Sequence, residues 1–80
     1  MEKKYYRTRD LSLAAFLYSV KDLSLFGTEK EGRQVYFIFT PPDEAEELTR
    51  LYWANKAPSI QPRLLFQSLR SMKDLIFSRG

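Results

Sequence analysis

The segment from Leu11 to Val20 limits what this chain can fold into more than any other. At about 100° per residue, Leu11, Ala14, Ala15 and Tyr18 form one stripe, and Leu13, Phe16, Leu17 and Val20 form a second on roughly the opposite side. A helix that is apolar on two sides has to be covered on two sides. It therefore lies between a sheet and something else, either the last helix of the same chain or another subunit. Thr8 or Asp10 caps its start. If Thr8 is the cap, Asp10 stands in the first turn, where the helix dipole favours a carboxylate.

The last segment, Gln61 to Phe77, is the natural candidate for that cover. Leu65, Leu69, Met72 and Ile76 stack at i, i+4, i+7, with Phe66 and Phe77 widening the stripe on one side and Leu64 and Leu75 on the other. The polar strip left over is narrow and mainly basic: Arg63, Gln67 and Arg70, with Asp74 among them and Lys73 at its edge. Two such helices can absorb much of each other's apolar excess, which makes dimerisation optional.

Between them, 23–29 and 33–40 read as two strands joined at Lys30-Glu31-Gly32, where Gly supplies the positive φ of a hairpin turn. In the second strand Val35, Phe37 and Phe39 share one face and Tyr36 and Ile38 the other, the pattern of a central strand. Residues 4–7 form a short first strand. Thr40 is the expected N-cap of a middle helix, with Pro41 at its first position and Asp43 completing a capping-box spacing. Glu44, Glu46 and Glu47 follow and complement the dipole, while Ala45, Leu48, Leu51 and Tyr52 face inward and Asn55 ends the helix in a left-handed cap. The expected fold is therefore α+β: a single small domain over residues 1–80, of order β-α-β-β-α-α, with a mainly antiparallel sheet packed by helices.

What the chain lacks narrows its chemistry. With neither His nor Cys among 80 residues, Ser-His-Asp and Cys-His catalysis, disulfides and a structural zinc site all fall away. Three scattered glycines leave no phosphate-cradling loop. No segment approaches the length of a membrane span, and nothing behind the basic N-terminus resembles a signal peptide. A cytoplasmic, non-enzymatic domain without metal or cofactor is the expectation.

The net charge of +3 is unevenly spread. Residues 1–9 carry four basic residues against one acidic, residues 57–80 likewise, and the stretch between them is net −3. Basic ends interleaved with aromatics are a nucleic-acid signal. On an extended first strand Tyr5, Arg7 and Arg9 point one way, as in sheets that stack bases and hold phosphates. DNA or RNA contact would then use Lys3, Lys4, Tyr5, Arg7 and Arg9, with Arg63, Arg70 and Lys73; the plain alternative for each is a solvated surface charge. Trp53 projects off the inward face of its helix. Coverage by the last helix or its preceding loop, a protein anchor and base stacking are all open for it. Phe16, Trp53 and Phe66 thus define the competing reading, a protein-interaction module that docks on a larger protein or pairs with a second copy of itself.

Three patterns together also resemble a known family: Thr8 to Leu17, Val35 to Phe39, and Leu69 to Phe77. They are similar to a group of short bacterial and phage or metagenomic proteins known as a domain of unknown function. Tyr52-Trp53 matches an aromatic pair of that family, whereas Ala54-Asn55 replaces its more usual Gly-containing turn. The resemblance implies the element order and a prokaryotic or viral setting, and carries no activity, cofactor or site.

Overall fold

The computed structural model describes residues 4–79. Its elements are β1 (Tyr6–Thr8), α1 (Leu11–Ser19), β2 (Ser24–Glu31), β3 (Gln34–Thr40), α2 (Pro42–Trp53) and α3 (Pro62–Arg79). The α+β class and the order β-α-β-β-α-α are as expected from the sequence. β3 is the central strand of a three-stranded antiparallel sheet of order β1-β3-β2.

Local chemistry accounts for the boundaries. The hairpin ladder runs on through Lys30↔Val35 and Glu31↔Gln34, so the turn shrinks to Gly32-Arg33 rather than Lys30-Glu31-Gly32. Gly32 holds φ +63° at the first turn position, where a two-residue hairpin favours Gly. Asp10 is the N-cap of α1, accepting from the Leu13 backbone N–H at 2.9 Å, while the Thr8 hydroxyl accepts from the Asp10 N–H at 3.1 Å.

The expected cap of α2 needs correction. Thr40 stays paired with Ser24 in the sheet, so Pro41 occupies the cap position with no side-chain hydrogen bond, and the Thr-x-x-Asp box does not form. At the other end Asn55 adopts φ +60°. The Lys56 N–H reaches the Leu51 carbonyl at 2.8 Å and the Asn55 N–H reaches that of Tyr52 at 3.2 Å, the paired bonds of a Schellman ending.

The core sits on one face of the sheet. Phe37 and Phe39 are wholly buried there, among Leu13, Ala14, Ala15, Phe16 and Leu17 of α1, Ala45 and Leu48 of α2, and Met72 of α3. Burial of each large side chain contributes about 1.5–3 kcal/mol. α3 packs along α1, so the same chain supplies the second cover that the two-sided helix requires. The buried hydroxyls of Ser19 and Ser68 donate back to the Phe16 and Leu64 carbonyls, at 2.6 and 2.9 Å, and ask nothing of neighbouring elements. On the opposite face of the sheet the Arg7 side chain lies over Tyr36.

Candidate docking site between the three helices

Among the described residues, the basic side chains of the two chain ends lie on different elements, Arg7 on β1 with Arg9 just after it and Arg63, Arg70 and Lys73 on α3. The N-terminal set faces out from the sheet. There the Arg7 guanidinium sits 4.2 Å from the centre of the Tyr36 ring and pairs with Glu29 and Glu31, each at 2.9 Å. The hydrogen bond to Glu31, followed by the attraction of Glu29, raises Arg7 above its already high ordinary pKa. Arg9 donates to the Gln34 side chain at 2.7 Å. The Tyr5 ring stacks against Phe26, centre to centre 4.4 Å, at the bulge between Leu25 and Gly27. Lys4 is exposed, and Lys3 lies outside the described residues. The expected Tyr5–Arg7–Arg9 face therefore exists, but its central cation is shared by two carboxylates and its tyrosine is already in a stack.

The sequence reading missed Phe26, Glu29 and Glu31 as members of this face. Their signal was register: once β3 is central, Glu29 stands opposite Tyr36 and Gly27 opposite Ile38, directly across from Arg7.

The C-terminal basic residues belong to α3, within the helical layer. Arg63, Phe66, Gln67 and Arg70 border one shallow depression, which includes no residue of β1. Phe66 also walls a second, apolar groove of about 160 Å³ with Ser12, Ala15 and Phe16 of α1, Tyr52 of α2, and Leu65 and Leu69 of α3. Three helices thus converge on one concavity. The Ala15 methyl leaves room for it, and the Phe16 and Tyr52 rings, 5.4 Å apart, brace it.

Of the residues singled out as protein contacts, Phe16 and Phe66 line this groove, while Trp53 lines a neighbouring depression with Tyr52, Asn55 and Ala57. Phe16 is buried and contributes a wall rather than a projecting anchor. Phe66 is 68% exposed, and Trp53, 62% exposed, stands edge-on to Tyr52 with ring centres 5.0 Å apart. Neither α3 nor the preceding loop covers Trp53. Tyr52 links Phe16 to Trp53 and was not foreseen as part of the site; it read as a core-facing helix residue, which its partial burial also bears out.

The groove offers little for chemistry. Its lining is almost entirely carbon, with the Ser12 hydroxyl and Tyr52 as its sources of polar atoms, so it presents no acid–base pair. Among the described residues no group of His, Cys, Asp or Glu could hold a metal ion, and no helix is long and apolar enough to cross a membrane. Comparison with protein families, curated proteins and solved structures finds no match to the chain. The family resemblance rests on the sequence patterns alone.

Proposed function

We propose that this chain is a non-enzymatic protein-docking module, acting in the cytoplasm, that receives a bulky apolar side chain of another protein in the groove between α1, α2 and α3. The observation that carries this reading is the position of Phe66, two-thirds exposed and forming one wall of a concave apolar slot. Exposed aromatics beside a dry pocket are what interface anchors fill and are built from. A nucleobase suits the slot poorly. Its polar edge would be buried against carbon and lose hydrogen bonds with water, a cost that an aliphatic or aromatic side chain does not carry.

The test is photocrosslinking from benzoylphenylalanine at position 66, with position 18, an exposed site elsewhere on α1, as control. The expected result is a protein adduct from position 66 alone, mapping to one segment that binds the purified chain when made as a peptide. A nuclease-sensitive adduct, or equal adducts from both positions, would refute it.

Nucleic-acid contact is the second reading, favoured by the Tyr5–Phe26 stack on the open sheet face. It requires Arg7 to give up Glu29 and Glu31 for phosphate. Its mark would be affinity falling steeply with salt, log K by about 0.7–0.9 per phosphate neutralised as log salt rises.

A further inference from the structure

The outward side of α3 says what kind of segment the groove takes. Arg63, Phe66, Arg70, Lys73 and Phe77 follow one another at spacings of three, four, three and four residues, which places them on one side of the helix. All five are exposed, Phe77 by 80%. Phe66 and Phe77 are eleven residues apart, about 16 Å along the axis, with Arg70 and Lys73 between them. Asp74 is the one carboxylate on α3. Arg7 with Glu29 and Glu31, and Arg50 with Glu47, form ion pairs on other elements.

We infer, building on the docking role proposed above, that the partner segment is acidic and amphipathic: a bulky apolar residue entering the groove past Phe66, with carboxylates set to meet Arg63, Arg70 and Lys73. Phe66 borders both the apolar groove and the depression lined by Arg63 and Arg70. An occupant that fills the first is brought within reach of the second. Carboxylates beside its anchor residue would gain charge-assisted hydrogen bonds from the two guanidinium groups. Basic residues there would be repelled, which is how such a surface rejects wrong partners.

The same stripe argues against a second copy as the occupant. A two-fold axis through its middle would set Arg70 and Lys73 of one chain against Arg70 and Lys73 of the other. A flat anionic bilayer would meet Phe66 and Phe77 but leave the concave groove unfilled.

A display library of random 16-residue peptides, panned against the full chain, tests the inference. Selected peptides are labelled and titrated by anisotropy against wild type, Phe66→Ala and Arg70→Glu. Both variants alter exposed side chains, and circular dichroism with thermal melts checks that they remain folded. The expected outcome is a consensus with a bulky apolar residue flanked by Asp or Glu, with affinity lowered about tenfold or more by each variant and weakened by salt. Peptides that lose affinity with Phe66→Ala but are uncharged and indifferent to Arg70→Glu would overturn the acidic partner while leaving the docking groove intact. Peptides indifferent to Phe66→Ala, or no peptides at all, would overturn both. Co-sedimentation with phosphatidylserine vesicles that Arg70→Glu abolishes, without acidic binders in the library, would replace the peptide by a membrane surface and so also refute the inference.

Discussion

Met72 is the only apolar side chain of α3 that is completely buried, and its truncation measures how firmly that helix is seated. Met72→Ala removes Cγ, Sδ and Cε. At about 0.8 kcal/mol per methylene-sized group the lost transfer energy is about 2.4 kcal/mol. A residual void of roughly 30 Å³ adds about 0.7 kcal/mol at about 24 cal/mol per Å³. The neighbours Tyr18, Leu25 and Leu75 border an open depression beside Met72 and can close part of the space, which keeps the void small. The expected total is about 3 kcal/mol. Against about 4–12 kcal/mol for a domain of this size that is a quarter of the stability or more. Melting temperature should fall by about 12–24 °C. Urea unfolding followed by far-ultraviolet circular dichroism would give the value directly. Phe66→Ala, on the outward side of the same helix, should cost under about 1 kcal/mol in the same assay. A loss below about 1 kcal/mol for Met72→Ala, with an unchanged urea slope, would mean that α3 is not held where the groove requires it.

Three further outcomes follow from single residues. Gly32→Ala should cost about 1–2 kcal/mol by thermal melt through backbone strain alone, because nothing lies within 4 Å of the added carbon; Gly32→Asn should cost visibly less. Asp10→Ala should cost about 1 kcal/mol by removing the α1 cap, and Asp10→Ser should recover most of it in urea melts. The hydrogen bond from Arg50 holds the Glu47 carboxyl below its ordinary 4.5. A depressed acid stabilises the fold above its unfolded pKa and loses that contribution as pH falls through the lower folded value. The difference in melting temperature between wild type and Glu47→Gln should therefore be small at pH 7, because the pair is exposed, and absent in strong acid.

Much of the fold was legible because short-range rules decide it. The two-sided stripe of α1 demanded two covers, and the chain had one sheet and one wide-arced helix to offer. Asn55 announced its left-handed cap, and β3 its central place through bulk on both faces. Thr40 misled because a capping residue and a strand residue compete for the same backbone, and pairing with Ser24 prevailed. The candidate site was half legible. Trp53 stood out as an aromatic off the inward face of its helix and Phe66 as one widening the stripe of the last helix, but how they come to lie on either side of Tyr52 depends on how three helices meet, which no local pattern encodes. The charge pattern hid more. Arg7 looked available in the sequence because its carboxylate partners lie 22 and 24 residues away on a strand that does not pair with its own.

That last arrangement has a mechanical consequence. β1 hydrogen-bonds to the sheet over three residues only, and closing it against β3 spans about thirty residues of chain. It should be the first strand to open, well before the locally closed β2–β3 hairpin. Arg7 reaches from this weak edge over Tyr36 to the far edge strand, clasping the two outer strands across the one between them. Because the clasp is exposed and ionic, salt loosens it. Backbone amides of β1 should then exchange with solvent faster as ionic strength rises, while those of Phe37 and Phe39 keep their pace: the sheet has one edge whose fraying is set by the medium and a centre whose protection is not.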